Sequence, residues 1–129
     1  METPGDRRYT AEHEWARLEE DGQITVGITD HAQDQLGDIV YIELPDPETD
    51  LQQNQPFGVV ESVKAVSDLF APVSGTVTVV NPKLLDGPEI LNDDPYEAGW
   101  MIRISPAVPT ELEELLGAGA YEELIGEDH

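Results

Sequence analysis

Phe57-Gly58-Val59-Val60-Glu61-Ser62-Val63-Lys64-Ala65-Val66-Ser67-Asp68-Leu69-Phe70-Ala71-Pro72 decides how this 129-residue chain is read. Apolar, β-branched runs flank a central lysine, which predicts one strand running up to Lys64 and a second leaving through Leu69-Phe70-Ala71-Pro72. Alternation puts Phe57, Val59 and Val63 on one parity and Gly58, Val60 and Ser62 on the other. Lys64 is then held out at the apex, where a modifying enzyme can reach it. No Asn-Gly or Asp-Gly pair lies between the strands, so local turn rules do not predict this bend. The chain has only two lysines among its 6 Lys plus Arg, against 28 acids. An amine can be converted enzymatically to a neutral amide, which is the functional reading of Lys64; the plainer one is an exposed turn lysine. Lys83, the other lysine, lies in a loop-like stretch and has no comparable setting.

Outward from that hairpin, more strands follow. His13 to Leu18, a turn at Glu19-Glu20-Asp21-Gly22 and the alternating Ile24 to Ile28 predict an N-terminal hairpin. Thr29 or Asp30 caps a helix of about two turns that ends at Gly37. Ile39 to Leu44 is too apolar for a one-sided strand and is expected to cross the core before Pro45. After a polar connection over 48–56 and the central hairpin, Gly75 to Val80 gives another strand, and Gly99 to Ile104 a further one. Residues 83–97, rich in Pro, Asn, Asp and Gly, predict irregular loop. Thr110-Glu111-Leu112-Glu113 reads as a capping box for a short helix ending at Gly117, with a further turn over Tyr121 to Ile125. Gly37-Asp38-Ile39-Val40 and Gly75-Thr76-Val77-Thr78 form a faint echo on either side of Lys64, as two strand units of a quasi-symmetric sandwich would.

Length and a hydrophobic content of 39% predict one globular domain over 1–129, with 105–129 as a C-terminal helical extension packed on it. The net charge of -22 argues against nucleic acid and anionic membrane as partners. The N-terminal residues lack a signal or transit pattern, and no run approaches the roughly 20 apolar residues of a membrane span. A cytoplasmic protein is expected, with a mature organellar form left open.

Nucleophilic catalysis has little footing: there is no Cys, no Gly-x-Ser-x-Gly, and His13, His31 and His129 are scattered. No metal motif is present, and Glu127-Asp128-His129 reads as solvated tail. Gly87-Pro88 and Gly117-Ala118-Gly119 lack the context of a phosphate loop. Neither catalytic residues nor metal ligands are expected.

The motifs His13-Glu14-Trp15, Val26-Gly27-Ile28-Thr29-Asp30-His31-Ala32, Leu36-Gly37-Asp38-Ile39-Val40, Glu43-Leu44-Pro45, Val60-Glu61-Ser62-Val63-Lys64-Ala65 and Asn92-Asp93-Asp94-Pro95-Tyr96 occur in this order. Together they resemble the H proteins of the glycine cleavage system over nearly the whole chain. The resemblance implies a mainly β, lipoyl-domain-like sandwich of the barrel-sandwich hybrid type, with short peripheral helices. It implies a carrier, not an enzyme, with lipoate joined by an amide to Lys64. Glu61, Ser62, Val63 and Ala65 would shape the turn for the lipoylating enzyme. Glu12, Glu14 and Asp68 become candidates for docking the aminomethyl-loaded arm. The implied partners are glycine decarboxylase with pyridoxal phosphate, aminomethyltransferase with tetrahydrofolate, dihydrolipoamide dehydrogenase and the lipoylating enzyme, with the carrier a monomer. Asp46-Pro47-Glu48-Thr49 and Gln53-Asn54-Gln55-Pro56 depart from the family's glycine-containing stretches. The alternatives are an H-like lipoate relay, a carrier of another multienzyme system, where Asp-Lys-Ala or Met-Lys-Met is usual, and an unmodified acidic interaction protein.

Overall fold

The hairpin around Lys64 forms: β6 (Pro56–Ser62) pairs antiparallel with β7 (Val66–Phe70) in the computed structural model of the chain, which describes residues 3–126. The tail at Glu127-Asp128-His129 lies outside the described residues, as do Met1 and Glu2. Before the hairpin come β1 (Arg8–Tyr9), β2 (Glu14–Leu18), β3 (Ile24–Ile28), α1 (Asp30–Leu36), β4 (Ile39–Glu43) and β5 (Asp50–Leu51). After it come β8 (Gly75–Val80), α2 (Pro82–Asp86), α3 (Ile90–Asp93), β9 (Ile102–Pro106), a 3-10 helix (Pro109–Glu114) and α4 (Ala118–Gly126).

The strands form two antiparallel sheets, one in the order β1-β2-β3-β9-β8-β5 and one in the order β4-β6-β7. Val26, Val77 and Ile104 of the larger sheet and Ile42, Val60 and Leu69 of the smaller one join a single buried apolar cluster. This is the expected mainly β architecture, two sheets around a shared core with short helices outside. The echoing segments become β4 and β8, one in each sheet.

Two expectations about strand faces are corrected, both by bulges. In β4, Ile39 and Ile42 are buried while Val40 and Tyr41 are 55% and 46% exposed, so the strand has one wet face and does not cross the core. A register shift between Ile39 and Tyr41 inserts one residue, which returns two isoleucines three apart to the same side. Strict parity fails likewise in β6, where Phe57 and Val60 are both buried after a shift between Pro56 and Gly58.

The loop expected over 83–97 contains α2 and α3. Its turn-forming residues are helix caps: Asn81 accepts from the Lys83 amide, Pro82 opens α2, and the Gly87 amide closes it on Lys83 O. The capping box at Thr110 does not form. Pro109–Glu114 is a 3-10 turn that starts ahead of Thr110, with Val108 at the N-cap and Pro109 at its first position, so Thr110 lies inside the turn and no side chain caps it. Glu111 within it accepts from the Ser74 amide (2.7 Å) and hydroxyl (3.1 Å). The final turn is a nine-residue helix, α4, whose Tyr121 is buried and stacks on Tyr9 with ring centroids 4.7 Å apart.

Candidate functional site

The bend at Lys64 is closed by a side chain. Glu61 and Val66 are the last paired residues, and the Ser62 amide donates to Ala65 O at 2.8 Å. The Ser62 hydroxyl oxygen accepts from the Lys64 and Ala65 amides at 3.3 and 3.1 Å, replacing the backbone carbonyl that usually receives such a bond. A hydroxyl can therefore build a turn that lacks Asn-Gly. From the apex, the Val63 amide donates to Asp38 O at 3.0 Å, tying the turn to the segment between α1 and β4. That segment is held in turn by Asn92, which accepts from the Ile39 amide (2.9 Å) and donates to Gly37 O (2.9 Å) and Gln33 Oε1 (3.0 Å). Asn92 is a supporting residue that spacing did not reveal; only its place in a quoted motif pointed to it.

Lys64 itself is exposed, between Val63 at 70% and Val66 at 66% exposure. Among the described residues its amine has neither an ion pair nor a hydrogen bond. Its stem lies over Gly37, where a Cβ would stand 3.3 Å from Lys64 Cε; Gly37 also has φ +79°, a conformation that favours glycine. An unpaired amine on an anchored turn, with its stem lying where a side chain at 37 would crowd it, fits an amide-linked acyl arm. Lys83, by contrast, sits in the first turn of α2.

The three candidate carboxylates differ sharply. Asp68 is exposed on β7 opposite Val59, so it does not cap the turn, a task that falls to Ser62. Glu12 is exposed and lines a cleft of about 200 Å³ with Asn54 and Phe70. Glu14, 2% exposed, accepts from Thr10 Oγ1 at 2.6 Å and from the Phe70 amide at 3.3 Å. Phe70 thus links Glu12 and Glu14, about 13 Å along the strand from Val66 at ~3.3 Å per residue.

Burial pushes the Glu14 carboxyl from 4.5 up to about 7; its two hydrogen bonds oppose the rise and the charge of Glu12 adds to it. The folded chain therefore holds this proton more tightly than the unfolded one. The corresponding stability is complete below about pH 4.5 and is lost as pH rises to about 7. Glu14→Gln keeps the neutral shape, its carbonyl facing the Phe70 amide and its amide facing the Thr10 hydroxyl. Urea unfolding at pH 8 is expected to show E14Q more stable than the parent by about 3 kcal/mol, shrinking towards zero near pH 4.5. A difference independent of pH would refute the buried-proton account.

The histidines read as scattered are in part adjacent: the His13 and His31 rings lie 4.7 Å apart. His13 Nδ1 and Thr29 Oγ1 each lie 2.8 Å from the Tyr121 hydroxyl, so this cluster clasps α4 onto the sheet. Among the described residues, no three His, Cys, Asp or Glu side chains are placed to hold a metal, and no helix is long and apolar enough to cross a membrane.

Comparison with known proteins matches this arrangement throughout its length. The family model described as "Glycine cleavage H-protein" matches residues 7–128. A glycine cleavage system H protein of Anaeromyxobacter sp. (strain K) is 58% identical over 127 residues, covering 98% of each chain. That of Bacillus licheniformis is 50% identical over 128 residues, covering 99% of this chain and all of the relative. The crystal structure of a glycine cleavage system H protein from Mycobacterium marinum superposes with a TM-score of 0.85 at 41% identity, covering 97% of this chain and 98% of the other. With the sequence, the two-sheet fold and the hairpin in agreement, the chain belongs to the glycine cleavage H-protein family.

Proposed function

We propose that this chain is a lipoyl carrier of the glycine cleavage system and that Lys64 bears the lipoyl group. The observation that carries the assignment is the unpaired Lys64 amine at the apex of a turn fixed on both sides, by Ser62 within the hairpin and by Asp38 outside it. Bound lipoate supplies a dithiolane that takes up the aminomethyl group of glycine and is afterwards reoxidised. The chain supplies a rigid base and no catalytic group. Rigidity matters because tethering raises the effective concentration of the arm's end at each active site it visits. In this reading the visited enzymes are glycine decarboxylase, aminomethyltransferase and dihydrolipoamide dehydrogenase, met by a monomer in the cytoplasm. Glu61, Ser62, Val63 and Ala65 present the lysine to the lipoylating enzyme.

Glu12, Glu14 and Asp68 are proposed to receive the cationic cargo of the folded-back arm. Glu12 meets it first, at its cleft; an ammonium arriving there favours ionised Glu14 and lowers its pKa. Docking then strengthens as pH rises through about 7. The E14Q variant reads this as well: loss of the aminomethyl group to water at pH 8 should accelerate severalfold, and unchanged release kinetics would remove Glu14 from the role.

The assignment is tested by intact mass of protein from its native host. A lipoyl increment that maps to the peptide containing Lys64, and not to that containing Lys83, is expected. An unmodified chain from cells actively cleaving glycine would overturn it.

A further inference from the structure

Five of the eight large hydrophobic side chains exposed among the described residues, Val40, Tyr41, Val63, Val66 and Leu85, belong to the Lys64 turn, to β7 and β4 on either side of β6, and to α2, which adjoins β4. Strand register makes part of this a continuous face. Tyr41 lies opposite Glu61, and Glu61 opposite Val66, so the three form one row across the smaller sheet. Beyond Tyr41 the face opens into a cleft of about 440 Å³ whose walls include Glu43, Phe57 and Leu85. Clustered exposed apolar groups of this kind mark interaction surfaces.

The fringe is acidic. Glu43 accepts from the Tyr41 hydroxyl at 3.0 Å, Glu61 lies in the row itself, and exposed Asp38 precedes β4. All four arginines are elsewhere: Arg8, Arg17 and Arg103 on the larger sheet, and Arg7 beside β1. Lys83 is two positions from Leu85, about 200° away around α2. A matching surface has an apolar projection for the cleft and cations at its rim.

The position of the amine selects the occupant. The Lys64 stem leans over Gly37, just before β4. Enzymes acting at the far end of a lipoyl arm can stand off by its length. The enzyme that attaches the arm cannot, because its acyl carbon must come within bonding distance of Nζ. In that step the neutral amine attacks the acyl carbon of a lipoyl-adenylate. The C–N bond forms, the bond to the nucleotide phosphate breaks with its electron pair, and the proton leaves Nζ for solvent.

We infer that the outward face of β4, from Tyr41 into the cleft beside Leu85, is the docking surface for the enzyme that lipoylates Lys64, which meets it with an apolar anchor bordered by basic side chains. This rests on Lys64 being the acylated residue, and a lipoyl increment in the unmutated chain establishes that separately.

The test is the initial rate of acylation of the full, unmodified chain by a lipoylating enzyme with ATP and lipoate, followed by mass. Tyr41→Arg and Glu43→Lys should each raise KM about tenfold with little change in kcat, and the parental KM should rise with ionic strength. Val79→Arg, at an exposed position of the larger sheet, should leave KM unchanged. Excess Lys64→Arg protein should inhibit acylation of the parent competitively, and a Lys64→Arg/Tyr41→Arg protein should not. Circular dichroism establishes that each variant is folded. If folded Tyr41→Arg and Glu43→Lys were acylated with the parental KM, or if both Lys64→Arg proteins competed equally, the docking surface would be refuted. A parent chain with no increment at Lys64 would instead overturn the carrier assignment.

Discussion

A Lys64→Arg variant is expected to fold as the parent does and to lose both the lipoyl increment and all aminomethyl carriage, a fall of at least about 10³-fold. Tethered delivery contributes effective concentrations that free lipoamide at ordinary levels does not reach. Arginine keeps the positive charge and a long stem. Its guanidinium stays protonated and delocalised, so it has no free amine lone pair for acyl transfer. The fold should not notice, because the Lys64 side chain is exposed and no bond to its amine is lost. Intact mass and a glycine-dependent exchange assay with the partner enzymes measure the two losses, and unfolding in urea checks stability. Lys83→Arg should be indistinguishable from the parent. Lipoylation surviving in Lys64→Arg would transfer the role to another residue.

A large loss of stability is expected at Gly58→Ala. Gly58 sits in the middle strand of the smaller sheet, and a Cβ there would overlap the Glu43 carbonyl oxygen of β4 and come within 3.5 Å of Leu69 Cδ1. The first obstacle is backbone on the neighbouring strand, so relief requires β4 to move away and its ladder bonds to stretch. Overpacking of this kind costs about 3 kcal/mol. Because β4 begins at the segment that anchors Val63, looser pairing also reaches the lysine turn. Gly119→Ala, in α4 with open space around it, should be neutral or stabilising by up to about 1 kcal/mol. Urea denaturation of both variants decides the matter. A loss below about 1 kcal/mol for Gly58→Ala would mean that β4 and β6 separate easily.

What the chain revealed unaided follows from the range of the interactions involved. The strands flanking Lys64, the N-terminal hairpin and the helix capped by Thr29 were legible because alternation, turn residues and caps act within a few positions. The bulges at Val40 and Phe57 were not, since a bulge is defined by the partner strand and single-strand parity contains no partner. The helices in 82–93 were hidden because Asn, Pro and Gly serve both as loop formers and as helix caps. Thr110 misled for a different reason: Pro109 opens the turn ahead of it, with Val108 at the cap, so the threonine falls inside the turn, where its hydroxyl is not placed to cap it. At the site, Lys64 stood out by rarity and placement. The roles of Ser62, Asp38 and Asn92 depend on contacts that composition does not encode, and the burial of Glu14 became visible only when β2 met β7.

The contact between Glu14 and Phe70 also protects the working end of the molecule. As one of the two edge strands of the smaller sheet, β7 would offer unpaired amides to an extended strand of another molecule, the usual start of edge-to-edge aggregation. Glu14 fills the Phe70 position from within the same chain, and exposed Asp68 places a carboxylate two residues before it. The hairpin can therefore stand clear in solvent, with its valines uncovered, while its outer strand offers little purchase for fibril-like growth.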